Sequence, residues 1–486
     1  MGILKIIAGR MIVFIQRWGL FSEENKKMKL LILISLIICP LLIFGQFVPK
    51  QANLSDSSWK YVGIRGFSSG RSDFVSMALS PSGVPYVAYS DSVFGGKAVV
   101  MMYNGYDWIN VGTPGFTEDE VTDMNLVFSK SSELYLGFIR KSNQKISVMK
   151  LLGNDWITVG NSGINQTPCT YFSLALTSTG EPYISFDDNN MLSVMKYNGT
   201  FWDYVGQPRF TGNYISFIDI KLDQDEKPYV AFRDNAIGGG YARVMKFESG
   251  SWIDLGSPYW AAGWSNWNKI GFDYADQLYI AYFQATQTIN GETVRKFNGS
   301  DWIAVGQEMF FAPQPEYTSL AFNPLTNQPH VALCKAVQDR SASVLKFDGV
   351  NWVFEGPENI SGGPATHTNL AIDSSGMQYI AFMDCASSNK ATVMKYTAQG
   401  VGIVESELND VSVFPNPVTS NLTIRLVNDD KVKISIDIFN QLGSKVLSQQ
   451  IIEDHLCVDF SHFPAGIYYL TVTGTKIYHG ISCIKQ

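Results

Sequence analysis

Residues Ser193–Gly206 read SVMKYNGTFWDYVG, the pattern of two short strands joined by a tight turn. Apolar and polar residues alternate on both sides of Asn198 and Gly199, as they do in strands with one buried face. An Asn-Gly pair between such runs is the strongest short-range hairpin signal, because its type I′ turn matches the right-handed twist of the two strands. We therefore predict a β-hairpin here.

The tryptophan of this hairpin recurs along the chain at spacings of 49, 48, 46, 50, 50 and 50 residues. Each copy begins a similar tail, such as WINVG at Trp108 and WIAVG at Trp302. The full set is Trp59, Trp108, Trp156, Trp202, Trp252, Trp302 and Trp352. Self-similarity at 40 to 50 residues is typical of solenoids and propellers. A tryptophan in every unit predicts packing between units rather than one ligand site.

Each unit contains four short strands. The unit after Trp108 has alternating segments at 124–128, 135–139, 146–150 and 156–159. Polar turns such as SPSGVP at Ser80 and TSTGEP at Thr177 separate the first two strands of a unit. Four antiparallel strands in a repeat of this length predict the blade of a β-propeller.

The two ends of the array complement each other. The three strands that precede the tryptophan in the other units are missing before Trp59. The last unit ends at Tyr396 with no tryptophan after it. We therefore expect Trp59–Val62 to pair with Thr392–Tyr396, which would remove two open sheet edges. This closure predicts an all-β fold: a seven-bladed β-propeller over residues 46–396.

The first 45 residues are expected to be an N-terminal extension and a signal peptide. The basic segment Lys26–Lys29 precedes an apolar run, Leu30–Phe44, and Gly45 follows. This run is shorter than the roughly 20 residues of a membrane-spanning helix, so we do not expect an integral membrane protein. The first residue and Met28 are both candidate starts, and the signal-peptide pattern favours Met28. The mature protein is expected to begin near Gln46.

Composition excludes several classes of function. A net charge of −7 argues against a nucleic-acid partner, which would require a basic surface. Metalloprotease and phosphate-loop motifs are absent, so we expect no cofactor or metal. Cys334 and Cys385, like Cys457 and Cys483, are either free thiols or pairs, because spacing alone does not establish the Cα separation that a disulfide needs.

Beyond a polar linker at residues 397–410, residues 411–486 contain alternating strands and Gly and Pro turns. The distinctive residues are Pro415, Asn416, Pro417, Gly443, Pro464, Ala465, Gly466 and Tyr468. This segment resembles the type A C-terminal sorting domain of the type IX secretion system of Bacteroidota, although Phe463 stands where that family usually has Leu. The resemblance implies a small seven-stranded β-sandwich of immunoglobulin-like form.

The resemblance also implies partners and a location. Its partners would be the type IX secretion machinery and a sortase-like peptidase that removes the domain. The protein would then be secreted or held on the outer cell surface. The repeat units also resemble a family of secreted Bacteroidota propeller proteins for which no activity is established.

Two sets of polar residues recur in the propeller. The ends of the second strands carry Asp91, Arg140, Asp188, Asp234, Gln284, Lys335 and Asp384. The third strands carry Lys150, Lys196, Lys246, Lys296, Lys346 and Lys395. The carboxylates are interpreted either as turn formers or as the acid and base of a glycoside hydrolase or lyase. The lysines are interpreted as a solvated edge with buried stems.

The connection after Gly256 reads SPYWAAGWSNWNK and concentrates aromatic residues. Trp260, Trp264 and Trp267 either pack against neighbouring blades or form an exposed stacking platform. In the second case we expect them to contact a glycan or protein ligand, with Asp234 and Gln284 nearby at the same rim. The favoured function is therefore a secreted binding or adhesion protein, and no catalytic residue is assigned.

Overall fold

The computed structural model describes residues 50–51, 58–236, 239–257, 260–261, 263–336, 340–397, 411–415, 417–426, 433–440, 445–453, 455–473 and 478–485. The chain forms two compact units, one ending at Thr397 and one beginning at Ala398. The signal peptide, the linker after Thr397, Asn416 and Gly443 lie outside the described residues.

The N-terminal unit contains seven four-stranded antiparallel sheets, which we number as blades 1–7 in chain order. Blade 1 comprises Ser72–Leu79, Pro85–Asp91, Lys97–Tyr103 and Trp108–Asn110, and blade 2 comprises Val121–Phe128, Leu134–Arg140, Lys145–Leu152 and Asp155–Thr158. Blade 3 comprises Phe172–Leu176, Pro182–Asp188, Met191–Tyr197 and Trp202–Tyr204, and blade 4 comprises Ile215–Leu222, Pro228–Asp234, Tyr241–Glu248 and Ser251–Asp254. Blade 5 comprises Trp264–Phe272, Leu278–Ala285, Asn290–Phe297 and Trp302–Ala304.

Blade 6 comprises Pro315–Phe322, Pro329–Lys335, Ala342–Phe347 and Trp352–Phe354. A two-residue strand, Lys50–Gln51, adds to its outer edge in parallel. Blade 7 comprises Ala365–Ile372, Gln378–Asp384, Lys390–Thr397 and the N-terminal strand Ser58–Tyr61. Two short 3-10 helices, Ser92–Phe94 and Cys385–Ser387, follow the second strands of blades 1 and 7.

The ring closes as the repeat predicts. Trp59 pairs with Tyr396 and Tyr61 with Met394, which makes the N-terminal strand the fourth strand of blade 7. The first strand of each blade contacts that of the next, including blade 7 against blade 1. The seven first strands therefore surround a central channel, and the predicted seven-bladed propeller is confirmed.

The recurrent tryptophans join neighbouring blades. Every indole N–H donates to a backbone carbonyl of the preceding blade's chain over 2.7 to 3.2 Å. Trp202, for example, bonds to the Val159 carbonyl, and Trp59 closes the circuit on Glu355. Six of the seven are buried and Trp252 is half-buried, so their predicted packing role is confirmed.

The tail of each unit ends in glycine for a steric reason. Gly206 has a φ of 77°, and a Cβ there would lie 2.8 Å from the ring of Phe247. The close approach and the left-handed backbone both favour glycine.

The first strands differ from the prediction at their beginnings. In blade 2 this strand starts at Val121 rather than at the predicted residue 124. A register shift between Thr122 and Met124 interrupts the pairing, and Asp123 within it has a φ of 44°. Six of the seven first strands carry such a β-bulge. The bulge breaks the two-residue alternation on which the sequence prediction depends.

The C-terminal unit has seven strands in two sheets. One sheet contains Val411–Phe414, Asn421–Leu426 and His455–Asp459, and the other contains Ile434–Asn440, Lys445–Ile451, Gly466–Thr473 and Tyr478–Lys485. A single apolar cluster that includes Leu422, Ile436 and Leu470 forms its core. These strands fit the predicted β-sandwich.

The sequence motif of the C-terminal unit has a local structural role. The Tyr468 hydroxyl donates to the Pro464 carbonyl at 2.9 Å, and its ring packs beside Phe460 and Phe463. Phe463 thus serves the packing role that its apolar character requires. Pro415, Pro417 and Ala465 are exposed.

The cysteines of the described residues do not form the pairs considered from the sequence. Cys334 is a buried free thiol, Cys385 is a half-buried one, and Cys457 is exposed and free. Burial raises the pKa of the Cys334 and Cys385 thiols.

Candidate functional site

The recurrent carboxylates at the ends of the second strands are structural. Asp384 accepts two hydrogen bonds from Arg65, at 2.7 and 3.1 Å, and Asp188 accepts one from Arg209 at 3.1 Å. Asp91 caps the 3-10 helix that follows it. Each carboxylate is held by its own arginine or turn, so the interpretation as turn formers agrees with the geometry better than that of an acid–base pair.

Asp234 and Gln284 belong to the same buried set. Both side chains are 0% exposed. Arg243 donates to Asp234, and the Tyr282 hydroxyl donates to Gln284 Oε1 at 3.1 Å. The expectation that these two residues contact a ligand at an open rim is corrected, because solvent does not reach them.

Trp260 is a packing residue. Its ring stacks on Trp302 at a centroid distance of 5.0 Å, and Arg295 lies over it. Phe67 stacks in the same way on Trp108. Both Trp260 and Phe67 stand eight residues after a recurrent tryptophan, as do Phe116, Phe210 and Phe310. The three tryptophans therefore do not form one platform, and the repeat itself held the signal for the packing of Trp260.

Trp264 and Trp267 lie on the first strand of blade 5. Trp264, at the beginning of the strand, is 58% exposed. Trp267 lies in the β-bulge with a φ of 56°, and is half-buried.

Trp267 is one member of a ring of side chains that we call the aromatic collar. One residue from each blade contributes, always fifteen residues after a recurrent tryptophan. The members are Phe74, Asp123, Tyr171, Phe217, Trp267, Tyr317 and His367. All seven are half-buried.

Ring contacts link the six aromatic members without a break. Successive centroids from Tyr171 through Phe217, Trp267, Tyr317 and His367 to Phe74 are 5.5, 5.1, 4.5, 4.6 and 5.5 Å apart. Asp123 fills the seventh position, between Phe74 and Tyr171 in blade order. The collar is not apparent from the sequence, because its members share a spacing but not a residue type.

The β-bulges explain why these side chains meet. Six members have a positive φ between 44° and 56°, a conformation that costs about 1–3 kcal/mol in a non-glycine residue. Only surrounding packing maintains such a backbone. Five of the six, together with side chains from the first strands of all seven blades, line a cavity of about 360 Å³ in the central channel.

A polar layer lies two residues further along the first strands. It consists of Ser76, Asn125, Ser173, Asp219, Lys269, Ser319 and Asn369. Ser76, Asp219 and Ser319 each accept a hydrogen bond of 3.0 Å from a backbone N–H of a neighbouring blade. These bonds hold the first strands together beneath the collar.

The charges near the collar are balanced. Asp219 lies 3.4 Å from Lys221 and 3.8 Å from Lys269. Burial acts to raise the pKa of Asp219, but the two lysines, together with hydrogen bonds from Ile270 and Ser173, outweigh it and the pKa lies below its usual value. Burial raises the pKa of Asp123 to about 6. Burial also lowers the pKa of His367 to about 4, so this histidine is neutral at pH 7.

A wider cleft of about 920 Å³ lies mainly among the turns of blade 1, and its lining residues include no charged side chain.

The third-strand lysines pair across strands with tyrosines: Lys150 lies 5.4 Å from the Tyr135 ring and Lys196 lies 5.2 Å from that of Tyr183. The four of these lysines that form ion pairs are partly buried, which agrees with the predicted buried stems.

The fold and the collar define a class, a seven-bladed propeller with an aromatic-lined central channel. Comparison with known families then identifies the C-terminal unit. Residues 412–482 match the secretion system C-terminal sorting domain. The chain is thus a secreted or cell-surface protein that carries a type IX sorting domain. None of the helices in the described residues is long and apolar enough to cross a membrane.

Several solved structures are similar to this chain at low identity. PorZ, a surface component of the type IX secretion system of Porphyromonas gingivalis, is 15% identical with a TM-score of 0.45, and the match covers 85% of this chain and 59% of PorZ. An ulvan lyase is 12% identical with a TM-score of 0.45, over 69% of this chain and 94% of the lyase. An arabinanase of Penicillium chrysogenum is 9% identical with a TM-score of 0.40, over 70% of this chain and 97% of the arabinanase. Comparison with curated proteins gives no significant match.

Proposed function

We propose that this protein is a binding protein of the cell surface or its surroundings, and that its ligand enters the channel through the aromatic collar. The type IX machinery would export it and a sortase-like peptidase would remove the sorting domain. The collar is the observation that supports this proposal. Six aromatic side chains in contact, four of which line the cavity, form an apolar surface that a ligand would cover favourably.

Binding measurements on the purified propeller and on its tryptophan variants test this proposal. We expect the purified propeller to bind a component of a panel of polysaccharides, glycoproteins and extracellular proteins, measured by biolayer interferometry. Trp267→Ala should weaken this binding about tenfold or more, as loss of a central aromatic contact does. Trp264→Ala should have a smaller effect, because Trp264 begins the same strand but does not line the cavity.

Two control variants make the test specific. Trp260→Ala should lower the melting temperature but leave the affinity of the folded protein unchanged, because Trp260 packs on Trp302. Tyr106→Ala changes an aromatic residue that is 85% exposed in a turn between strands, and should alter neither quantity. Binding that is equally strong in all four variants would contradict the assignment of the site to the collar.

One observation favours cleavage as a second candidate function. Asp123 and Asp219 line the same cavity, and their pKa values are displaced in opposite directions. A raised and a lowered carboxyl pKa are what an acid and its partner need in glycoside hydrolysis. Release of reducing ends from the same polysaccharides, abolished in Asp123→Asn, would favour a hydrolase; binding without any product would favour the binding protein.

Processing of the C-terminal unit is a separate prediction. We expect the mature extracellular chain to end within residues 397–410, because the polar linker precedes the sorting domain directly. Intact-mass spectrometry of the protein from culture medium and cell surface measures this end. A surface form that extends to Gln486 would contradict removal of the domain. Tyr468→Phe removes only the hydrogen bond to the Pro464 carbonyl and should leave the sorting domain folded. This variant is the control, and its extracellular chain should end at the same place.

A further inference from the structure

We infer that the aromatic collar receives the end of a neutral glycan chain, with one uncharged sugar ring seated among its aromatic side chains. This inference rests on the proposed binding function and names the ligand class. Three properties of the site carry it: its small volume, its balanced charge and the mixed chemistry of its wall.

The volume of the site limits how much of a ligand can enter. The side chains of Ser76 and Ser319, which bond one blade to the next, line the same cavity as the collar members Trp267 and Tyr317. The cavity of about 360 Å³ is near the lower limit for small-ligand sites. A polymer therefore fits with a terminal unit in the cavity, whereas a chain lying across the face would contact only the rim.

The charge of the site disfavours ionic ligands. The cavity wall contains two carboxylates, Asp123 and Asp219, and two ammonium groups, Lys221 and Lys269. Asp219 and the lysines already form ion pairs. An anionic or cationic ligand would have to displace one of these partners or enter without a counter-charge, and burial of an unpaired charge is unfavourable. An uncharged ligand avoids that penalty.

The wall combines apolar faces with polar edges. The rings of Phe74 and Trp267 provide flat apolar surface, and Tyr317 adds both a ring and a hydroxyl. Half-buried amides follow on the polar layer at Asn125 and Asn369. A sugar ring has the complementary composition: an apolar face of C–H groups and a rim of hydroxyls. Apolar walls with a few placed polar groups are what confer orientation in such sites.

A glycan array tests the ligand class with the purified propeller. The array should contain neutral glycans, glycans with uronate or sulfate groups, and amino-sugar glycans with free amines. We expect binding to neutral glycans that share one terminal sugar. In isothermal titration calorimetry, a short oligosaccharide with that terminus should bind within a few-fold of the polymer, because only the chain end is held.

Collar variants connect such binding to this site. Trp267→Ala and Tyr317→Ala should each lower the affinity about tenfold or more, whereas Trp267→Phe, which retains a ring, should lose less. Tyr106→Ala should bind as the unmodified protein does. Melting curves of each variant identify any loss that follows from unfolding.

Several outcomes would overturn the inference. Selective binding of sulfated, uronate or amine-bearing glycans, or binding only of a protein from the wider panel, would refute the neutral sugar while leaving collar binding intact. Equal binding by the collar variants would refute the site and with it the proposed function. Polymer binding that short oligosaccharides fail to compete would refute recognition of a chain end.

Discussion

Deletion of residues 46–64 is expected to leave a propeller that aggregates or melts far below the intact protein. The deletion removes Ser58–Tyr61, the fourth strand of blade 7, and exposes the backbone groups of Lys390–Thr397 that it pairs with. An uncovered strand edge pairs readily with other molecules. The deletion also removes Trp59, whose indole bond to Glu355 links blade 7 to blade 6.

A point substitution isolates the contribution of the closing tryptophan. Trp59→Ala should reduce the free energy of unfolding by about 3–5 kcal/mol, the usual effect of truncating a buried tryptophan. Such a loss is a large part of the roughly 5–15 kcal/mol that stabilises a typical protein. The Trp59 ring is buried against Tyr396, with the two ring centroids 5.4 Å apart. Its truncation would therefore leave a buried cavity rather than a gap that solvent fills.

Lys60→Ala is the matched control for this measurement. Lys60 is the next residue on the same strand and is exposed, so its truncation should change the unfolding free energy by less than about 0.5 kcal/mol. Calorimetry or circular dichroism gives the melting temperatures, and size-exclusion chromatography detects aggregates. A soluble deletion variant with unchanged melting would show that the ring does not depend on its N-terminal strand.

Glu292→Gln is expected to stabilise the propeller at pH 8 and to change little at pH 4.5. Glu292 is 0% exposed, and one of its carboxylate oxygens accepts a hydrogen bond from Thr318 at 3.0 Å. Burial raises the pKa of Glu292 to about 8. Structurally equivalent positions in other blades are occupied by alanine, isoleucine or leucine, such as Ala98, Ile146 and Leu192.

The direction of this pH effect on stability follows from the protonation state of Glu292 in the folded and the unfolded chain. The folded protein favours the protonated carboxyl, whereas the unfolded chain ionises near pH 4.5. Stability from this group is therefore complete below about pH 4.5 and is lost as the pH rises towards 8. A rise of the pKa from 4.5 to about 8 corresponds to a loss of folding stability on the order of 4–5 kcal/mol. The neutral amide of glutamine removes this loss.

Glu355→Gln is the control with the opposite sign. Glu355 is also buried, but His330 and Lys346 outweigh the effect of burial and hold its pKa below the usual value. Its stabilising contribution is present at neutral pH and is lost in acid, so Glu355→Gln should destabilise the protein at pH 7–8. Urea unfolding between pH 4.5 and 9 measures both variants. An unchanged pH profile in Glu292→Gln would contradict the burial of an ionisable carboxyl.

The sequence alone determined the propeller, its blade number and its closure. Strands with one buried face need only a two-residue alternation, and that signal lies within a few neighbouring residues of each blade. The nearly fixed interval between Trp59 and Trp352 then counts the blades, because each unit repeats the same local chemistry. The sorting domain was recognisable for a similar reason: Pro464, Gly466 and Tyr468 act within one turn.

Only the tertiary structure decided where the candidate site lies. Asp234 and Gln284 stand at the ends of strands, but their partners Arg243 and Tyr282 bury them. Trp260 and Trp267 are seven residues apart, yet one packs on a neighbouring blade and the other faces the channel. The difference depends on a β-bulge with positive φ, which the packing of seven strands around one axis maintains and which no local pattern specifies.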